Sequence, residues 1–85
     1  NFVYLERSGA EFLVSNGVTA VGIDTIGIER SQPGHPTHKA LLKANIPIIE
    51  GLRLGAAEAG NYELFCLPLA VQGLDGAPAR AILIK

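Results

Sequence analysis

Apolar residues are concentrated in a few short runs of this chain, and the first long run predicts a β-strand. Residues 18–24, VTAVGID, contain β-branched residues and one glycine. A run of this kind is typical of a strand buried on both faces, as in parallel sheets. Asp24 closes the run, at the strand end where α/β folds tend to place functional groups. The alternative role for Asp24 is a cap or a turn former for the loop that follows.

Polar residues before and after an apolar face predict a short first helix over residues 9–15. Ser8 is expected to be its N-cap, with Glu11 three residues later completing an S-x-x-E capping box. Asn16 and Gly17 are residue types that end a helix.

A second helix is predicted to begin at Pro36 and Thr37, because proline is tolerated in the first helical turn and threonine can cap. Asn45 can end this helix in the left-handed conformation. Residues 46–50, IPIIE, then predict a strand that begins near Pro47. Strand, helix and strand in this order resemble a βαβ unit, which predicts that the two strands are parallel.

The last part of the chain predicts an antiparallel hairpin. Residues 62–70 and 79–84 are strand-like, and the Asp75–Gly76 pair between them is a strong turn signal. The expected fold is therefore α/β, with a small mixed sheet, a parallel βαβ unit, an antiparallel C-terminal hairpin and two short helices. A single domain over residues 1–85 is expected.

The connection between the first strand and the second helix, residues 25–36, predicts a loop because it contains two glycines and two prolines. At about a dozen residues it is longer than most connections, which favours a functional or interface role. Glu29 and Arg30 in this loop can pair with each other or with a partner, and an exposed pair of this kind is usually solvated and contributes ~1 kcal/mol or less.

Composition adds an expectation about partners. The chain of 85 residues is 48% hydrophobic and 18% charged, which is apolar for its size. We expect another copy or a missing segment to cover part of the apolar surface, so a homo-oligomer is predicted; a well-filled small core is the alternative. The formal charge of −1, without runs of either sign, argues against nucleic acid and anionic membrane partners.

The expected location is cytoplasmic. No apolar stretch approaches the ~18 to 20 residues of a membrane span, and no secretory signal pattern is visible. The single cysteine, Cys66, excludes an internal disulfide and is expected to be a buried, unreactive thiol. The chain contains no methionine and begins at Asn1, which is consistent with a truncated or processed product, or with an initiator methionine that was removed or left out.

The segment HPTHKALLKANIPIIE, residues 35–50, carries the candidate chemistry. Imidazole and carboxylate are good ligands for a divalent metal, and His38 and Glu50 can converge on one ion if the helix leads back into a strand. On spacing alone, such a pair is more often a surface residue and a structural acceptor. His35 is a candidate third ligand, for which an exposed loop histidine is the simpler interpretation. Motifs for nucleotide binding, a serine nucleophile or a redox dithiol are absent, and no catalytic residue is assigned.

Three segments in order, GVTAVGIDTIGIE, HPTHKALLKANIPIIEGL and YELFCLPLAVQGLDGAPARAIL, resemble the carboxy-terminal part of the cyclase family of metal-dependent hydrolases, which includes bacterial kynurenine formamidases and isatin hydrolases. The resemblance covers residues 8–84. It implies a part of a swivelling β/β/α domain, and it implies that His38 and Glu50 are ligands of zinc or manganese.

The family's amino-terminal signature, H-x-G-T-H-x-D-x-P-x-H, does not occur in this chain. The resemblance therefore implies a truncated or reduced relative of an arylformamidase-type or cyclase-type amidohydrolase, catalytically incomplete alone. An alternative is a stand-alone, non-catalytic protein that self-assembles through an exposed apolar sheet surface. A third interpretation is a ligand-binding module with a cleft near Asp24.

Overall fold

The chain forms two helices and four strands in the computed structural model, which describes residues 3–30, 32–68 and 76–85. In chain order they are α1 (Arg7–Ser15), β1 (Val21–Gly22), α2 (Pro36–Lys43), β2 (Ile48–Ile49), β3 (Glu63–Pro68) and β4 (Ala79–Ile84). The chain divides into two compact units, Asn1–Leu54 and Gly55–Lys85. The single domain expected over residues 1–85 stays a prediction.

Helix α1 begins at Arg7, two residues before its predicted start. Glu6 occupies the N-cap position, and Ser8 lies inside the first turn, where its hydroxyl donates a hydrogen bond to the Glu6 carboxylate over 2.9 Å. The predicted capping box is therefore wrong. The reason is tertiary: the first amides of a helix lack intrahelical partners, and the Arg7 amide finds one in the side-chain oxygen of Gln32, 3.2 Å away.

The residues predicted to end the two helices are confirmed. Asn16 is the C-cap of α1, and the next residue, Gly17, has a φ of 73°. Asn45 follows α2 with a φ of 59°, in the left-handed region that asparagine tolerates better than most residues.

Strands β1 and β2 pair in parallel, with Val21 opposite Ile48 and Gly22 opposite Ile49. The chain passes from one to the other through α2, so the predicted βαβ order is confirmed.

The prediction for residues 18–24 was right in position but wrong in extent and burial. Only Val21 and Gly22 belong to the strand; Val21 and Ile23 are half-buried, and Gly22 is exposed. Among the described residues β1 has a single partner strand, so its faces are not enclosed as those of a central strand would be.

Helix α2 begins at Pro36, as predicted, with the proline at the first helical position. Thr37 is not its cap, because this residue is fully buried inside the helix and its hydroxyl donates to the carbonyl of Leu5 over 2.7 Å. His35 occupies the N-cap position in a left-handed conformation, with φ 51° and ψ 56°, and makes no side-chain capping bond among the described residues. The α2 amides therefore need another acceptor.

The core of the first unit lies between α1, α2 and the parallel strands. Its buried apolar residues are Ala10, Ile28, Leu41 and Ile46, against which half-buried neighbours from both helices and both strands pack. Leu41 is completely inaccessible, while the adjacent Leu42 is 57% exposed. The amphipathic pattern of α2 thus turns one leucine inward and the next outward.

The second unit contains the antiparallel hairpin of β3 and β4, with Glu63 opposite Ile84 and Pro68 opposite Ala79. The predicted hairpin is confirmed, whereas its predicted Asp75–Gly76 turn lies partly outside the described residues. Large apolar side chains remain exposed on both strands: Leu64, Phe65, Leu67, Ile82, Leu83 and Ile84. Cys66 on β3 is a free thiol that is half-buried rather than fully buried.

The α/β class is confirmed, with its parallel unit, its hairpin and its two short helices. In the described part of the chain, the two strand pairs form two separate two-stranded sheets instead of one small mixed sheet.

Candidate metal centre

His38 and Glu50 face each other in the first unit. His38 is the third residue of α2, and Glu50 directly follows β2, so the βαβ crossover returns the chain to the beginning of the helix. Nε2 of His38 lies 3.8 Å from Oε2 of Glu50, and each side chain is about one-third exposed. The structure therefore brings together the two residues that the sequence singled out.

The separation of these two atoms fits a shared ion. Nitrogen and oxygen ligands of zinc lie about 2.0 to 2.2 Å from the metal, so two ligand atoms on one ion are at most about 4.4 Å apart. The 3.8 Å between Nε2 and Oε2 falls within this limit and is too long for a hydrogen bond. Imidazole with carboxylate is also a donor set suited to zinc or manganese.

Glu29 is the site residue that sequence reasoning missed. Its side chain is 1% exposed, so the expectation that it is a solvated loop residue is wrong. Oε1 accepts a hydrogen bond from the His38 amide over 2.8 Å and contacts Nδ1 of the same residue at 2.5 Å. Oε2 accepts hydrogen bonds from Gln32 Nε2 over 2.6 Å and from the Thr37 amide over 3.3 Å.

These contacts explain how α2 begins without a local cap. Thr37 and His38 are its second and third residues, and both of their amides donate to the Glu29 carboxylate. The carboxylate thus replaces the side-chain cap that the sequence assigned to Thr37, and a negative charge at a helix N-terminus is favourable. Glu29 precedes the helix by seven residues, and no capping rule covers that spacing.

The Glu29 carboxyl is held in its ionised form. Burial raises its pKa, but the hydrogen bonds from the amide and the imidazole of His38, the Thr37 amide and the Gln32 side chain together outweigh burial and lower the pKa below its ordinary value.

Glu50 is held by the residue next to Glu29. The amide of Ile28 donates to Oε2 of Glu50 over 2.8 Å. Two consecutive residues of the long loop therefore fix the two facing side chains, Ile28 through its backbone and Glu29 through its carboxylate. The functional role that the length of this loop predicted stays a prediction.

His35 lies close to the same group. Its Nδ1 is 4.0 Å from Oε1 of Glu29, its side chain is 76% exposed, and its ring stands edge-on to that of His38 with centroids 5.9 Å apart. Glu29, His35 and His38 have the distances of a possible three-ligand cluster. The 2.5 Å between Glu29 and Nδ1 of His38 is nevertheless a hydrogen-bond distance, shorter than the about 3.4 Å between neighbouring ligands of a tetrahedral zinc. The free nitrogen of His38 faces Glu50 instead.

Asp24 has a structural contact. Both of its carboxylate oxygens lie 3.1 Å from the amide of Leu54, which donates to them, and the residue is exposed. This contact joins Asp24 to the segment that follows β2 and not to the loop after β1, so a turn-forming role in that loop stays a prediction.

In the described part of the chain, no helix is both long and apolar enough to cross a membrane.

Comparisons with known proteins agree on one family. No family model matches the chain. Cyclase-like protein 1 of Arabidopsis thaliana is 38% identical over 87 residues, covering all of this chain and 34% of that protein. Kynurenine formamidase of Bordetella pertussis is 40% identical over 74 residues, covering 86% of this chain and 35% of the enzyme.

A solved structure described as a potential metal-dependent hydrolase with cyclase activity superposes with a TM-score of 0.93 at 46% identity. The match covers 96% of this chain and 41% of that one. The chain spans about a third of the length of the curated relatives it matches. By sequence and by fold, the chain belongs to the cyclase family of metal-dependent hydrolases.

Proposed function

We propose that this chain contributes His38 and Glu50 as ligands of a divalent metal ion in a hydrolase that cleaves the C–N bond of an amide, of the arylformamidase or cyclase type. The observation that carries the proposal is the 3.8 Å approach of His38 Nε2 to Glu50 Oε2. The kynurenine formamidase relative and the hydrolase structure support the reaction class.

The surroundings of the pair favour a cation between the two side chains. Nδ1 of His38 is engaged by Glu29, so the remaining nitrogen, Nε2, faces a carboxylate that itself only accepts hydrogen bonds. Two acceptors that face each other beyond hydrogen-bond distance are a favourable place for a positive ion. A divalent ion bound there would lower the pKa of a bound water to about 7 and polarise a substrate carbonyl.

The two residues supply an incomplete ligand set. A catalytic zinc normally has three protein ligands and a water, and among the described residues only His38 and Glu50 are turned toward this point. We therefore expect weak metal binding and no appreciable hydrolysis by the 85-residue chain, with further ligands supplied by polypeptide beyond it. Titration with each ion in turn distinguishes zinc from manganese.

Isothermal titration calorimetry of the 85-residue chain with Zn²⁺ and with Mn²⁺ tests the assignment. We expect one weak site in the wild type, lost in His38→Ala and in Glu50→Gln. His35→Ala is the matched control, because it removes an imidazole from the same helix start and leaves the facing pair intact. Equal binding by the wild type and both site variants, or loss of binding only in His35→Ala, would contradict the assignment.

Self-association stays a separate proposal. Its support is the group of exposed apolar side chains on β3 and β4, since large uncovered apolar surfaces are uncommon on monomeric proteins. Multi-angle light scattering on the 85-residue chain tests it, and a strict monomer at all concentrations would argue against it. The comparisons do not favour a purely non-catalytic assembly protein, and the cytoplasmic location stays a prediction.

A further inference from the structure

The Glu29 carboxylate is saturated by donors. Its two oxygens face four groups: the His38 amide and Nδ1 at Oε1, and the Gln32 side-chain nitrogen and the Thr37 amide at Oε2. An ionised carboxylate can only accept hydrogen bonds. Each of the four groups must therefore donate, and for the imidazole this means that Nδ1 carries a proton.

When the ring is neutral, a proton on Nδ1 leaves the other ring nitrogen without one. In a neutral imidazole one nitrogen donates and the other accepts, so Nε2 of His38 keeps its lone pair. This nitrogen is the one that lies 3.8 Å from Glu50. Because Oε1 of Glu29 binds both the backbone and the ring of His38, it also restricts rotation of the ring about the side-chain bonds.

We propose that Glu29 is a positioning residue that selects the Nδ1–H tautomer of His38 and aims Nε2 at Glu50. The effect of Glu29 on metal affinity rests on the function proposed above, whereas its effect on the tautomer does not. Carboxylates that orient metal-binding histidines in this way typically change metal affinity by about 10-fold to 100-fold when they are removed.

A purely structural role is the competing explanation, because Glu29 also caps α2. The two roles use partly different oxygens. Oε2 accepts hydrogen bonds from the Gln32 side chain and the Thr37 amide. Oε1 accepts from the His38 amide, and it is the oxygen that contacts the imidazole. Gln32→Ala is therefore a matched control. It removes a hydrogen bond from the buried carboxylate but leaves the contact with Nδ1.

Long-range ¹H–¹⁵N correlation NMR on the metal-free chain, at a pH where the His38 ring is neutral, reads the tautomer directly. We expect the wild type and Gln32→Ala to carry the proton on Nδ1. In Glu29→Ala we expect the proton to shift toward Nε2, the nitrogen that is protonated in most molecules of free histidine. Glu29→Gln, which keeps the shape of the side chain, serves if the alanine variant does not fold. We expect a smaller Nδ1–H population there because an amide offers one acceptor oxygen instead of two.

A wild-type His38 protonated mainly on Nε2, or an Nδ1–H population unchanged by replacing Glu29, would overturn the proposal.

Zinc titration of the same variants is the second measurement. We expect a loss of about 10-fold to 100-fold in affinity for the Glu29 variant and less than about 3-fold for Gln32→Ala. If the wild type itself binds no metal, the proposed function fails, and the tautomer measurement still decides the role of Glu29.

Discussion

The amide of Ile28 donates a hydrogen bond to Oε2 of Glu50 over 2.8 Å and so joins the long loop to the end of β2. Ile28 is 1% exposed and belongs to the core of the first unit. The position of the Glu50 carboxylate is therefore coupled to the packing of that core. The next residue along the loop, the buried Glu29, likewise holds the His38 side chain, through the contacts of its Oε1 with the His38 amide and Nδ1.

This relationship predicts different outcomes for two substitutions of Glu50. Glu50→Gln keeps an oxygen that can accept from the Ile28 amide, so we expect a loss in unfolding free energy of about 1 kcal/mol or less. Glu50→Ala leaves a buried donor without a partner, for which about 1 to 3 kcal/mol is expected. Urea denaturation of the metal-free chain, followed by circular dichroism, measures both. Equal destabilisation by the two variants would show that the hydrogen bond is unimportant.

Two adjacent leucines in α2 provide a matched test of the core. Leu41 is fully buried and Leu42 is 57% exposed, although both belong to the same helical turn. We expect Leu41→Ala to reduce the unfolding free energy by about 2 to 5 kcal/mol because it leaves a cavity. Leu42→Ala should change it by less than about 1 kcal/mol. Similar losses in the two variants, measured by thermal or urea denaturation, would contradict the burial pattern.

Ser8→Ala tests the corrected start of α1. If Ser8 were the N-cap, its replacement by alanine would lower the unfolding free energy by about 0.5 to 2 kcal/mol. In the structure its hydroxyl donates to the exposed Glu6 carboxylate from inside the first turn. Since alanine is also the better helix former, we expect a change of less than about 0.5 kcal/mol, of either sign. A larger loss on denaturation would restore Ser8 as a cap.

Gly51 directly follows Glu50 and has a φ of 70°, while its amide donates to the carbonyl of Thr25 over 2.8 Å. A methyl group at this position would meet no atom within 4 Å, so only the backbone conformation opposes a side chain. We expect Gly51→Ala to lower the unfolding free energy by about 1 to 2 kcal/mol.

Gly55→Ala is the control for that experiment, because Gly55 is equally open but has no positive φ. Its replacement should be neutral or slightly stabilising. If the two alanine variants melt at the same temperature, the left-handed conformation at position 51 is not a source of strain.

The features that could be predicted from sequence depend on neighbours along the chain. Pro36 begins α2 because its ring suits the first helical position, and Asn45 follows α2 because asparagine tolerates a positive φ. The parallel pair and the hairpin follow from apolar runs separated by helix or turn signals. His38 and Glu50 were singled out by spacing and by family resemblance, because a crossover helix returns the chain beside its own beginning.

The environment of that pair was decided only by the tertiary structure. Ser8 and Thr37 have the right residue types for caps, yet both lie inside helices that begin earlier. The first amides of those helices are bound by Gln32 and Glu29 from the long loop. Glu29 looks like an exposed loop residue in the sequence, and it is buried because four donors converge on it. A buried charge is stable only when such partners surround it, and those partners are assembled by folding. The sequence, through spacing and family resemblance, thus indicated which two side chains would meet, while the packing of the loop against both helices determined the atoms that they present to each other.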